Sequence, residues 1–350
     1  MQYLFDPPVA TRGYRLFALA GIGLLYLAGV VHWLLFYLSA ARGFSFYVMR
    51  FSAYDWPREY VFLSTLQDAI LQGVVPYHIT PAIKGTMRFL GIPDYLTSPQ
   101  LLLLRWTDPA TFVLLNTVLL YSVSFLACLA IRKRYRLSLV SFAVLYLLVH
   151  FNGHITSHLG SGQHVWLGFF LLPLYCLFVL ELVEGELSWM QTLKLALVLW
   201  AMLIQGTYHF YLWGVGFLVL LLLFDRRFWR PVMGAIALSI LLGAFRLIPS
   251  AVAFWSTDRR FLTGYPTLWH LFEALVVVKG HDVEHLGVLG RLAWWEYDFY
   301  IGVIGAALVG YFGIYRHLRE RLDPEWSAYR ALEMPMLTMA VFSMSLFYAP

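Results

Sequence analysis

Apolar stretches about as long as a bilayer is thick recur along this chain, and nothing else in it constrains the fold as strongly. A helix that crosses a bilayer needs about 20 mostly apolar residues. Runs that meet or approach this requirement occur at Arg15–Ala40, Ala110–Ile131, Leu137–Phe151, Val165–Leu182, Met190–Ile204, Phe210–Phe224, Pro231–Trp255 and Ile301–Tyr315. A ninth run, Met334–Pro350, stops abruptly at the last residue, as expected of one part of a longer natural protein. Of the 350 residues, 60% are hydrophobic and only 13% charged, whereas a soluble domain is about half apolar and about a quarter charged. The expected fold is all-α: a polytopic transmembrane helix bundle of about eight or nine spans. Residues 1–350 would form a single transmembrane domain, with two large outer loops carrying short interfacial helices.

The first run is too long for the apolar core of a secretory signal, which is about 7–15 residues, so an uncleaved anchor is expected despite the small residues Ser39, Ala40 and Ala41 after it. Cys128 and Cys176 both fall inside apolar runs. They are expected to be small buried hydrophobes, and they offer neither a disulfide framework nor a metal site.

Basic residues set the expected orientation. Arg132, Lys133, Arg134 and Arg136 follow the second run, Arg226, Arg227 and Arg230 follow the sixth, and Arg316, Arg319 and Arg321 follow the eighth. The alternate connections, near Asn152–Gln163 and Gln205–His209, contain no Lys or Arg. The expected arrangement is an integral protein of the plasma (inner) membrane with a cytoplasmic N-terminus. The net charge of +5 is mostly this bias, so no nucleic-acid partner is implied. Segments of about 41–109 and 256–300 then lie outside. His78, His154, His158, His164, His209, His270, His281 and His285, eight of the eleven histidines, fall on that side or at its boundary.

The first outer segment opens with "FSAYDWPREYVFL". After Asp55-Trp56-Pro57, residues Phe62, Leu66, Ala69 and Ile70 recur at helical spacing, while Glu59, Gln67, Asp68 and Gln72 take other positions. This pattern predicts an amphipathic helix in the headgroup region, ended by Gly73 and barred from continuing by Pro76. Asp55 suits the N-cap and Glu59 the positive helix end. A carboxylate at the membrane surface can also act as a general base towards a hydroxyl about 3 Å away. Capping and catalysis are compatible in one residue, and both readings of Asp55 stand at this point.

With "YDWPREYVFLSTLQDAILQGVVPYH", "FNGHITSHLGSGQHVWLGFFLLP", "RLIPSAVAF" and "WWEYDFYIG", the chain resembles the GT-C class of integral-membrane glycosyltransferases, which use polyprenyl-phosphate-linked sugars. The likeness is closest to the subset that includes bacterial membrane proteins implicated in decorating cell-surface polymers. It is one of layout and degenerate motifs. It implies sugar transfer onto a cell-envelope acceptor, with membrane lipid as surroundings. Asp55 would be base or metal ligand, and Glu296 and Asp298 would stand where the class often has a second acidic motif, here E-x-D rather than D-x-D. A divalent cation, Mg or Mn, is the only cofactor the resemblance implies. Members of the class usually have more spans and often a soluble outer domain, and neither is present in this chain.

Other candidates come from the residues themselves. Arg246 is the only basic residue in the seventh run. An intramembrane charge is costly to keep and therefore functional by default, and a guanidinium fork suits phosphate. Pro249, one turn later, is expected to break that helix and open a polar pocket. Arg259, beside Arg260, is a second phosphate candidate, although an exposed pair on a loop fits it as well. His154 and His158, four apart, would share a helix face, as metal ligands require. The neighbouring glycines and Asn152-Gly153 instead suggest a bent loop. Together with His164, His209 and Glu59 they are candidate contacts to a sugar or phosphate. Trp56, Trp106, Trp255, Trp269, Trp294 and Trp295 read as anchors in an aromatic belt.

No P-loop or nucleophile elbow occurs. A lipid or glycolipid transporter or flippase would place polar residues near the midplane and often carries repeats, and no internal repeat is evident. A non-catalytic membrane scaffold would have no need to gather acids, histidines and Arg246 at one surface.

Overall fold

In the computed structural model, residues 12–38, 55–74, 95–255, 268–278, 298–320 and 322–344 are described. The described chain is all-α, with no strand among these residues. Its helices are α1 (Arg12–Leu38), α2 (Trp56–Gln72), α3 (Pro109–Arg134), α4 (Leu139–His150), α5 (Gly153–Gly160), α6 (Leu172–Val183), α7 (Trp189–Ile204), α8 (Tyr208–Phe224), α9 (Trp229–Trp255), α10 (Leu268–Val276), α11 (Gly302–Leu308), α12 (Arg316–Glu320) and α13 (Arg330–Met344). Shorter 3-10 segments, Pro99–Arg105 and His164–Leu171, lead into α3 and α6.

Among the described residues, five segments are long and apolar enough to cross a membrane: Gly13–Tyr37, Pro109–Arg134, Leu139–Gly160, His164–Val183 and Arg226–Val252. By length and composition the chain is an integral membrane protein. The runs read at Met190–Ile204 and Phe210–Phe224 form helices of 16 and 17 residues. At 1.5 Å per residue they reach only about 24–26 Å, short of the ~30 Å hydrocarbon core. The run at Ile301–Tyr315 is not one α-helix: beyond Leu308 it widens into a π-turn over Val309–Tyr315. Of the last run, residues up to Met344 belong to α13 and the remainder lies outside the described residues.

Side-chain placement follows the membrane pattern. On α1, Leu16, Leu19, Leu24, Leu27, Val31 and Leu35 face outward, while Tyr14, Ala18, Trp33 and Tyr37 are buried against the bundle. Lipid tails are as apolar as leucine, so helices in a bilayer associate through close packing and hydrogen bonds rather than burial from water. The α1–α3–α4 contact shows both. A Cβ at Gly29 would lie 2.5 Å from Tyr121 Cζ, so only glycine lets these helices approach so closely. The Tyr146 hydroxyl donates to Leu25 O at 2.8 Å, and the Tyr121 and Tyr146 hydroxyls lie 3.0 Å apart. Cys128 is buried as expected, but Cys176 points out of the bundle. Its place in the helical repeat of α6 puts it on the outward face, where a small apolar thiol is equally at home.

The up-and-down course of the helices gives the bundle two chemically distinct ends. At one, Arg134 pairs with Glu181, Glu184 and Glu186, and the hydroxyls of Tyr135 and Tyr329 donate to Glu184. This network ties the end of α3 to the end of α6 and to the start of α13. Burial pushes the Glu184 carboxyl up, but these hydrogen bonds outweigh it and hold it below its ordinary value of 4.5. The other end gathers the start of α2, the α4–α5 and α5–α6 connections, the turn before α8, and residues 298–301.

Candidate functional site

The short helix α5 organises the second end. Asn152 caps it, its side chain accepting from Ile155 N at 3.2 Å. The stretch expected to be a bent loop is therefore helical, because the Asn152 cap starts a turn that Gly153 and Gly160 do not interrupt. What the glycines provide is clearance.

A helix leaves backbone donors unsatisfied at its N-terminus and acceptors at its C-terminus. On α5 the two acid-bearing segments supply both. At the N-terminus, Gly153 N donates to Tyr300 O at 2.6 Å. A Cβ on Gly153 would fall 2.7 Å from Asp298 Cγ and 2.6 Å from Tyr300 N. At the C-terminal end, Trp56 Nε1 donates to Gly160 O at 3.2 Å and Asp55 N to Ser161 O at 2.9 Å. Gly162, at φ +91°, would place a Cβ 2.6 Å from Trp56 N. One eight-residue helix thus carries the Asp55 segment at one end and the Asp298 segment at the other, about 12 Å apart along its axis.

Asp55 stands at the N-cap position of α2, but its side chain does not cap the helix. Its backbone is already helical (φ −83°, ψ −6°) and its side chain makes no capping hydrogen bond. Ser161 O fixes the Asp55 N–H, which aligns the backbone with the helix and turns the carboxylate towards Gln163, whose Nε2 lies 3.4 Å from Asp55 Oδ2. Asp55 is partly exposed there. Trp56 is not a belt anchor: it is 2% exposed and packs edge-on against Tyr37. The apolar stripe of α2 is spent on protein, with Phe62, Leu63, Leu66 and Ala69 buried and Phe62 edge-on to Tyr95. Gln67 reaches inward too, donating to Leu104 O and Thr107 O. Gly73, at φ +68°, closes α2 as expected, while Pro76 lies outside the described residues.

One turn beyond Asp55, Glu59 faces His164, with Oε1 and Nδ1 3.5 Å apart. His164 is fully buried, edge-on to Tyr95 and Phe112. Asp55 and Glu59 therefore sit in register with Gln163 and His164. This separates His164 from the other candidate histidines, whose ring contacts are different.

His154 and His158 do share a face of α5, with ring centroids 4.4 Å apart. His158 Nδ1 lies 2.7 Å from His154 O. Trp166 packs on both, at 5.0 and 4.1 Å, and stacks on its far side with His209 at 5.3 Å and 12°. Phe299, next to Asp298, stacks on His154 at 5.0 Å and 10°. His154 and His158 are buried, Trp166 half-buried and His209 exposed, so the cluster leads from the surface to the N-terminal end of α5. Trp166 and Phe299 were not singled out in the sequence. The "QHVW" spacing, which sets Trp166 eight residues after His158, offered a signal for the first.

Asp298 is half-buried, and burial raises its carboxyl above the ordinary value of 3.8, partly offset by the hydrogen bond it accepts from Tyr300 N at 3.0 Å. Arg246 is 2% exposed on α9, with Ser250 buried one turn further on. α9 runs unbroken through Pro249 to Trp255. Pro249 removes one N–H but does not end the helix, since the turns on both sides retain their own hydrogen bonds. Glu296, Arg259, Arg260, Trp294 and Trp295 lie outside the described residues.

Among the described residues, no group of three or more His, Cys, Asp or Glu is placed to hold a metal ion. The described surroundings of Asp55, where the amide donor of Gln163 meets the carboxylate, do not fit a divalent cation. The chain matches no protein-family model, and it has no significant match among curated proteins or solved structures.

Proposed function

We propose that the chain is a glycosyltransferase of the extracytoplasmic membrane face, moving a sugar from a polyprenyl-phosphate carrier to a cell-envelope acceptor. The orientation is N-terminus inside, as the basic connections suggest. The span count of eight or nine treats the shorter helices α7 and α8, and the segments after Gly302, as further crossings. The observation that carries the reading is the convergence of the Asp55 and Asp298 segments on α5, each completing one of its ends.

The separation of the two acid-bearing segments favours different roles for the two acids. Carboxylates that serve a single glycosidic bond as a pair stand roughly 5–10 Å apart, less than the length of α5. Asp55 is the base. Its carboxylate is free of a capping bond and partly exposed. It takes the proton of the acceptor hydroxyl as that oxygen bonds to the anomeric carbon. The bond from that carbon to the phosphate oxygen breaks, and its electron pair leaves with the lipid phosphate. Phosphate needs no general acid to depart, so a second carboxylate at the reacting bond is unnecessary. Arg246, buried in the apolar bundle, neutralises the departing phosphate as a guanidinium fork does well.

Transfer of labelled sugar from polyprenyl-phosphate donors, in membranes carrying the wild type or Asp55→Asn, tests this. The reading requires transfer by the wild type and its loss in the variant at equal membrane insertion.

A further inference from the structure

The end of α3 carries Arg132, Lys133 and Arg134, with Arg136 just past the helix. Arg134 spends its charge on Glu181, Glu184 and Glu186. The other cations are not neutralised in this way. Among the described residues, no carboxylate pairs with Arg132, Lys133 or Arg136, nor with Arg15 on α1. Arg15, Lys133 and Arg136 are exposed, and Arg132 is half-buried. Arg132 is held from two sides: its Nη2 donates to the Tyr14 hydroxyl at 2.9 Å, and its guanidinium carbon lies 5.9 Å from the centre of the Phe142 ring on α4. A Cβ on Gly21 would meet Leu139 Cδ2 at 2.8 Å, so α1 and the start of α4 also pack closely. The α3–α4 turn and the first turns of α1 therefore share one positive face.

The negative end of the α3 dipole favours cations here, but it does not explain Arg136. Among the described residues, Arg136 is the one residue other than glycine in the left-handed backbone region, at φ +49°. Leu137 N donates to Arg132 O at 3.0 Å, the closure typical of a helix that ends on a left-handed residue. Glycine is the usual occupant of that position, because a Cβ costs free energy there. A chain that keeps arginine forgoes this stability, and such strain marks positions where the side chain is used. The turn is anchored beside it, where the Tyr135 hydroxyl donates to Glu184.

We infer that this face, formed by Arg15, Arg132, Lys133 and Arg136, binds the headgroup of an anionic phospholipid. The apolar segments Gly13–Tyr37 and Pro109–Arg134 bring the start of α1 and the end of α3 to a membrane surface, where lipid phosphates lie. Guanidinium forks and a lysine suit a phosphodiester. Leu16 and Leu19, next to Arg15 on α1, face outward and give acyl chains a surface beside the headgroup, which favours a lipid over a free phosphate. The inference is independent of sugar transfer.

Native mass spectrometry of the purified full chain in detergent, titrated with dioleoyl phosphatidylglycerol or dioleoyl phosphatidylcholine, reads this binding. The wild type binds phosphatidylglycerol at least about tenfold more tightly than phosphatidylcholine. Arg136→Gly accepts the left-handed backbone and removes the charge. It weakens phosphatidylglycerol binding about fivefold, the worth of one basic residue at an anionic surface. Its unfolding midpoint equals or exceeds that of the wild type, since glycine relieves the strain. Lys133→Gln weakens binding to a similar degree. Arg226→Gln removes an exposed cation from a different basic connection and stays within about twofold of the wild type. The inference is overturned by equal affinity for the two lipids, or by unchanged binding in both Arg136→Gly and Lys133→Gln. An equal loss in Arg226→Gln overturns it too, as diffuse charge would give. So does displacement of the lipid by equimolar glycerol phosphate, which marks a site for soluble phosphate.

Discussion

Asp298 packs its carboxylate onto the bare backbone of Gly153, in the space where any other residue would carry its Cβ. This contact sets how the segment before α11 meets the start of α5. Gly153→Ala should destabilise the fold by about 1–3 kcal/mol, the usual cost of inserting an extra carbon into a packed contact. Asp298→Ala in the same chain should restore only part of this, because the new Cβ still meets Tyr300 N at 2.6 Å. Unfolding midpoints of the two single variants and the double variant give the coupling, expected at about 0.5–3 kcal/mol.

At the other end of α5, Gly162 is constrained twice, by φ +91° and by Trp56 N. Gly162→Ala combines a clash with a backbone conformation that costs about 1–3 kcal/mol for a residue with a side chain. The expected outcome is release of the start of α2, read as a red shift of Trp56 emission in a variant that keeps Trp56 and lacks neighbouring tryptophans. Trp56→Phe removes the bond to Gly160 O, a loss that should cost about 1 kcal/mol.

The two ends of the bundle should respond to pH with opposite signs. Burial raises the Asp298 carboxyl above 3.8, so the folded chain binds its proton more tightly than the unfolded one. The stability this gives is full below 3.8 and is lost as pH rises through the raised value. Asp298→Asn should therefore match the wild type in acid and become the more stable of the two as pH rises. Glu184 is held below 4.5, and its contribution is present above 4.5 and lost as pH falls through the lowered value. Glu184→Gln should be less stable than the wild type at neutral pH, with the gap closing in acid. Unfolding midpoints across pH 3–7 check both signs in one series.

Arg246 is buried on α9, and the proposed transfer makes it the counter-charge of the departing lipid phosphate. Arg246→Gln should raise KM for the lipid-linked donor and lower kcat, because the departing phosphate loses its counter-charge. Arg246→Lys keeps the charge but not the fork and should fall between the two. Steady-state kinetics with donor concentration varied separates these outcomes from a uniform loss of folded protein.

Much of the fold was legible because lipid imposes one simple requirement, an apolar run of sufficient length, and the five long segments satisfy it. What the runs did not reveal was where an apolar helix falls short, as in α7 and α8, or widens, as after Leu308. Asp55, His154, His158 and Asp298 could be picked out individually, since acids and histidines are conspicuous in so apolar a chain. Their convergence could not. It depends on Gly153 and Gly162, which look like bend formers in sequence and act as docking surfaces in three dimensions. Local preference favours Asp55 as an N-cap, and it does hold the N-cap position of α2, but its side chain makes no capping hydrogen bond. A distant carbonyl, Ser161 O, takes its N–H and turns its side chain elsewhere.

The measurement that tests the central claim most directly is sugar transfer from a polyprenyl-phosphate donor by Asp55→Asn against the wild type, with thermal unfolding of both. Asn preserves the size of the side chain and removes its basicity. Because Asp55 makes no capping bond in α2, the account predicts nearly equal unfolding midpoints and a fall in transfer of at least about 100-fold, the low end of what a general base supplies. Wild-type transfer rates in Asp55→Asn, or no transfer by the wild type from any such donor, would contradict it.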